Sequence, residues 1–155
     1  MVISQELRVQ IAKTNEKYPE KRGGLLPALH LVQKEFGEIS EGAAKELAEI
    51  FGIYPAEVLE VVSFYNMFRT QKGGKHHAHV CTNLPCALKG ARGLLKKLEA
   101  YFGVHAGETT EDGRLTLGHE ECLGACAYAP MMRIDETYHE DLDFEKAKQI
   151  LESLE

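Results

Sequence analysis

Along residues 3–68 apolar side chains recur at intervals of three and four, the period of helices that bury one stripe. Leu7, Val9 and Ile11 mark a first helix, which ends before Pro19 and the Gly23-Gly24 pair. A second carries Leu25, Leu29, Val32 and Phe36 from near Pro27, with Gly37 standing where a left-handed cap is wanted. Ser40 suits the N-cap of a third, whose Ala43, Leu47, Ile50 and Phe51 share one stripe before Gly52. Pro55 suits the first turn of a fourth. That last helix is read as holding Val58, Val61, Val62, Phe64, Tyr65, Met67 and Phe68, more apolar surface than one face of a small core requires. A contact beyond the helical unit is expected to cover the excess.

Residues 71–74, Gln-Lys-Gly-Gly, read as a flexible joint and set the expected domain boundaries at 1–72 and 73–155. Beyond the joint the period changes. Residues 75–80 predict a short strand leading into Cys81, and Leu88, Ala91, Leu95, Leu98 and Phe102 predict a helix packed on a sheet, with Lys89, Arg92 and Lys96 on another face. Strands are predicted at 115–117 and 131–134, residues 137–139 complete a hairpin, and 144–154 form a closing helix. The second half is thus β-α-β-β-β-α, and the fold class is α/β.

Composition narrows the function. A chain of 155 residues can bury a genuine core. Its net charge of -6 argues against a general nucleic-acid binder, which must neutralise phosphates. The opening Met-Val-Ile-Ser-Gln-Glu-Leu-Arg has no basic flank followed by an apolar run, and nothing approaches the ~20 apolar residues of a membrane span, so neither export nor spanning is expected. Partners are expected to be proteins or small molecules. Four cysteines in a presumed reducing compartment favour metal or redox chemistry over disulfides.

The cysteines form two pairs, Cys81-Thr-Asn-Leu-Pro-Cys86 and Cys122-Leu-Gly-Ala-Cys126, separated by 35 residues and each just after a predicted strand. A 2Fe-2S cluster needs two thiolates on each iron, and two short-range pairs supply that shell. Structural zinc also takes four cysteines, most often as closer C-x2-C pairs, so spacing alone leaves zinc and the cluster in contest. Pro85 favours a turn, and Gly124 is expected to let backbone approach closely. A helix starting at about Ala87, immediately after Cys86, is expected to turn its positive end toward the site.

Specific strings point further. Tyr54-Pro-Ala-Glu-Val58, Phe64-Tyr-Asn-Met-Phe-Arg69, Val80-Cys81, Thr109-Thr-Glu-Asp-Gly-Arg-Leu-Thr-Leu117, Glu121-Cys-Leu-Gly-Ala-Cys126 and Ala129-Pro-Met-Met-Arg-Ile-Asp135 carry a resemblance over residues 24–154. In these the chain resembles the thioredoxin-like 2Fe-2S subunits of bacterial and mitochondrial NADH:quinone oxidoreductase, respiratory complex I. The resemblance implies an N-terminal helical bundle followed by a thioredoxin-like domain, a mixed sheet flanked by helices. It also implies one 2Fe-2S cluster ligated by Cys81, Cys86, Cys122 and Cys126. Further implications are FMN and NADH on a tightly bound flavin-bearing, NADH-oxidising partner subunit, and a place on the inner face of the bacterial membrane through the larger complex. Ala129 departs from the family, which often has Gly before the proline. Subunits of NAD-linked hydrogenases and formate dehydrogenases share the same strings.

Other residues attract attention without joining that set. Alternation places His77, His79 and Cys81 on one strand face, where the histidines are read as a solvated face or as contacts behind the ligands. His76 and His119 are read the same way. Residues 135–145 hold six acids and no Lys or Arg, read as a solvated hairpin and helix start. No G-x-G-x-x-G fingerprint opens a helix after a strand, and no Walker-type loop or Ser-His-Asp arrangement can be inferred, so substrate chemistry is expected on a partner.

Overall fold

A computed structural model describes residues 3–155, and the chain divides into two compact units, Met1–Lys72 and Gly73–Glu155. The first is helical: α1 (Gln5–Asn15), α2 (Leu25–Phe36), α3 (Glu41–Phe51) and α4 (Pro55–Phe64), with a 3-10 turn at Lys21–Gly24. Local chemistry sets the ends. Ser4 Oγ accepts the Leu7 N–H at 3.1 Å and Ser40 Oγ the Ala43 N–H at 3.2 Å, satisfying donors that a helix start leaves open. Gly37 and Gly52 close α2 and α3 in the left-handed conformation, as the sequence predicts. At α4, Pro55 leads and the Glu57 carboxylate accepts the Tyr54 N–H at 2.9 Å.

Leu7, Ile11, Leu25, Leu29, Val32, Ile39, Leu47 and Val58 are buried to 2% exposure or less and form this unit's core, each worth about 1.5–3 kcal/mol. Two expectations change here. Val9 lies on the outer face of α1, exposed, so Leu7 and Ile11 alone mark the stripe. The apolar run 58–68 is not one helix: α4 stops at Phe64, because residues 67–69 are drawn onto the end of α2. Gln33 Nε2 donates to the Met67 carbonyl at 2.8 Å, its Oε1 accepts the Arg69 N–H at 2.7 Å, and the Arg69 carbonyl accepts the Ile39 N–H at 2.6 Å. Phe68 thereby folds back into the core, its ring 4.9 Å from that of His30, while Phe64 stays 79% exposed.

The second unit is a four-stranded mixed sheet in the order β2-β1-β3-β4, with β1 (His76–Cys81), β2 (Leu115–Glu120), β3 (Met132–Ile134) and β4 (Thr137–His139). β1 runs parallel to β2 and antiparallel to β3, and β3 to β4. Between β1 and β2 come α5 (Leu84–Leu88) and α6 (Ala91–Phe102), and α7 (Phe144–Glu152) closes the chain. Ala78, Val80, Leu115, Leu117, Met132 and Ile134 pack with Leu94, Leu95 and Leu98 of α6 and Ala147 and Leu151 of α7. The register places His77, His79, Thr116, Gly118, Glu120 and Arg133 on the opposite side, and the stacked rings of His77 and His79 confirm that the two histidines share it.

Acids of the 135–145 stretch do more than meet solvent. Asp143 caps α7, its Oδ1 accepting the Lys146 N–H at 2.8 Å. Asp135 Oδ2 lies 2.8 Å from His76 Nδ1, and the second ring nitrogen of His76 is 3.0 Å from the Glu155 carbonyl. Those two hydrogen bonds, Asp135 first, raise the His76 pKa above its ordinary 6.5. Burial works to raise the Asp135 pKa, but bonds from the His76 side chain and the His77 backbone outweigh it and the net shift is below 3.8. A raised histidine stabilises the fold below its unfolded pKa and loses that contribution as pH rises through the folded one. A lowered carboxyl stabilises above its unfolded pKa and loses the contribution as pH falls. The stability difference between wild type and His76→Gln, read from urea midpoints, should therefore be largest between about pH 4 and 6.5 and shrink on either side.

Candidate iron–sulfur site

Cys81 ends β1, and because β2 runs parallel to β1 it emerges at the same edge of the sheet, where Cys122 comes two residues later. Parallel pairing therefore delivers both cysteine segments to one end. Cys86 lies inside the single turn of α5, which Asn83 starts by accepting the Leu84 N–H on its side-chain oxygen at 2.6 Å. The apolar spacing predicts one long helix from about Ala87. Instead Gly90, at φ 93°, breaks the chain after α5, and the long helix begins at Ala91. Leu88, expected on its buried stripe, is 79% exposed. The positive end of the long helix thus starts five residues past Cys86, not beside it.

Cys126 opens a 3-10 turn, Cys126–Tyr128, pinned from below: the Asp141 N–H donates to the Tyr128 carbonyl and the Leu142 N–H to the Pro130 carbonyl, both at 2.9 Å. Gly124 has φ 78°, a conformation costly for any residue with a Cβ, so its turn, rather than crowding, is what requires glycine. The Ala129–Pro130 peptide is cis. Just past it, Met131 serves both members of the first pair: its carbonyl accepts the Cys81 N–H at 3.1 Å, and its backbone hydrogen-bonds the Cys86 sulfur.

All four thiols are free, Cys81 and Cys86 buried and Cys122 and Cys126 exposed. Burial pushes the Cys86 pKa up to about 11, aided by a hydrogen bond with the Cys81 thiol and the charges of Cys81 and Cys126, against the opposing Met131 bond. Thus Cys81 touches Cys86, and Cys126 is near enough for its charge to be felt. A dry thiol that resists ionisation favours binding a strongly Lewis-acidic centre, which removes the proton and supplies the missing countercharge. Among the described residues no three His, Cys, Asp or Glu side chains converge on one point fit for a single ion. Two pairs of soft donors suit a binuclear centre better than a mononuclear one.

The histidines stand beside the thiols in an arrangement that strand alternation foreshadows only in part. His77 is 8% exposed, not solvated, and its ring stacks on His79 with centroids 6.5 Å apart. His79 Nδ1 lies 3.8 Å from Glu120 Oε1, and that oxygen accepts a hydrogen bond from Arg133 Nη2 at 3.0 Å. Nothing in the sequence singles out Glu120 or Arg133. Only the strand register brings them together, and no spacing signal encodes it.

Fold and site together define a small thioredoxin-like α/β protein carrying a four-thiol centre at one sheet edge. The model of the thioredoxin-like [2Fe-2S] ferredoxin family matches residues 11–155, and the chain belongs to that family. It is 40% identical over 147 residues to one of the NADH-quinone oxidoreductase subunits of Rhizobium meliloti (strain 1021), covering 95% of this chain and 88% of that one. It is also 40% identical over 154 residues to the mitochondrial NADH dehydrogenase [ubiquinone] flavoprotein 2 of Dictyostelium discoideum, covering 97% of this chain but 62% of the longer relative. Among solved structures, a chain of an NAD+-reducing [NiFe]-hydrogenase in the air-oxidized state superposes with a TM-score of 0.74 at 28% identity. That match covers 84% of this chain and 22% of the hydrogenase chain.

Proposed function

We propose that this chain is the electron-transfer subunit of a respiratory NADH:quinone oxidoreductase, holding one 2Fe-2S cluster on Cys81, Cys86, Cys122 and Cys126. The observation that carries the reading is the two-plus-two arrangement of thiols at one sheet edge in a chain of this family. When bound, such a cluster accepts and releases one electron at a time. The rest is the work of the chain's own residues. Cys81 and Cys86 hold the dry side, and the Met131 backbone supplies hydrogen bonding there. Cys122 and Cys126 keep the other side near the surface, where FMN on an NADH-oxidising partner subunit can come within electron-transfer range. Hydride chemistry belongs to that flavin.

The exposed Phe64 gives the partner an apolar contact on the helical unit. No helix among the described residues is long and apolar enough to cross a membrane, in keeping with a peripheral place on the inner face of the bacterial membrane through the complex. A hydrogenase host is the second reading, supported by the structural likeness at 28% identity. The relatives at 40% identity named for NADH-quinone oxidoreductase and NADH dehydrogenase favour the first.

Metal analysis is the direct test. The purified chain should be brown and hold about two irons and two acid-labile sulfides, with an EPR signal that appears on reduction. A colourless chain carrying one zinc would replace the electron carrier with a zinc-stabilised interaction module.

A further inference from the structure

β1 is flanked by β2 on one side and β3 on the other, and Glu120 and Arg133 are on those two flanking strands. Glu120 is registered with Cys81 and Arg133 with His79, so their 3.0 Å contact arches over β1 between His79 and Cys81. The carboxylate is deeply buried and His79 lies 3.8 Å from the same oxygen, its ring laid over Gly118, where a Cβ would come 3.0 Å from Nδ1. Glu120 also carries the joint between the two cysteine segments. Its carbonyl accepts the N–H of Thr82 at 2.9 Å and the Thr82 hydroxyl at 3.2 Å. Thr82 is next to Cys81 in the chain, and Glu120 stands two residues before Cys122. One residue therefore ties both segments by its backbone while its side chain is held by the far strand.

From this geometry we infer that Arg133 is a positioning residue for the cluster: acting through Glu120, it fixes the distance between the Cys81 and Cys122 segments. The inference rests on the cluster reading above. A buried charge left without its partner destabilises strongly, whereas removing both members is far milder. That difference separates a role in the fold from a role at the site. The double variant Glu120→Gln/Arg133→Met leaves no lone buried charge and retains the backbone bonds to Thr82, so its fold should melt within a few degrees of wild type while its cluster loosens.

The experiment loads wild type, Glu120→Gln and the double variant with cluster and first measures iron and sulfide. Absence of both from wild type would defeat the cluster reading itself, an outcome distinct from failure of the positioning role, which is judged only on loaded protein. Loss of visible absorbance to an iron chelator is then timed, and reduced-state EPR spectra are compared. Outer contacts that orient metal ligands are commonly worth 10–100-fold in affinity, so release from the double variant should be about tenfold faster, with a shifted or broadened spectrum. Glu120→Gln should lie between the two. Release rates and spectra equal to wild type in the double variant would overturn the assignment. If that variant fails to fold, wild-type behaviour of Glu120→Gln decides against it.

Discussion

Alanine at any one of Cys81, Cys86, Cys122 or Cys126 should reduce bound iron and sulfide to less than about a tenth of the wild-type content. The chain has four cysteines, so no spare protein thiolate exists to take a lost ligand's place. Histidine is no ready substitute: His77 is stacked against His79, and His79 is laid toward Glu120. Serine could ligate in part, which makes alanine the cleaner replacement. Iron, sulfide and the reduced-state EPR signal are the readouts, with circular dichroism to show that the fold persists. A variant that keeps full content and an unchanged spectrum would strike its cysteine from the ligand set.

The second large effect is an absence of activity. The purified, cluster-loaded chain should oxidise NADH no faster than buffer does, and anaerobic NADH should bleach its visible absorbance only when the flavin subunit is added. Hydride transfer needs a two-electron acceptor and a nicotinamide site. The grooves beside Phe64 and between Lys97 and Phe144 hold ≈ 210 and ≈ 250 Å³, below the roughly 300–1,000 Å³ of ordinary ligand pockets. Rapid NADH consumption proportional to the concentration of the isolated chain, without added flavin, would place the substrate site here after all.

How far the sequence can be read depends on the range of the force at work. Gly37 and Gly52 announce helix ends because the left-handed turn is a property of one residue, and Ser40 announces a start because its acceptor bonds a donor three residues away. The cysteine pairs are legible for the same reason. Errors gather where a partner distant in sequence decides. The periodic run through Phe68 hides the pull of Gln33 on residues 67–69, which ends α4 early. At Cys86 the signals are present but outvoted: Asn83 as a cap and Gly90 as a stop bound a single turn, yet the apolar spacing from Leu88 onward suggests continuity. The Glu120–Arg133 contact has no local trace at all.

The parallel pairing of β1 and β2 makes the sheet a ruler for the two cysteine segments. Sliding β2 along β1 by one residue would turn Leu115 and Leu117 out of the core onto the polar face, an error that hydrophobic burial punishes at once. Sliding by two residues restores the faces but displaces Cys122 by about 6.6 Å relative to Cys81. Burial corrects that error only weakly, whereas the cross-strand carboxylate–guanidinium contact, defined at one register alone, discriminates against it. Apolar alternation thus selects the parity of the alignment, and a single polar bridge selects its absolute position.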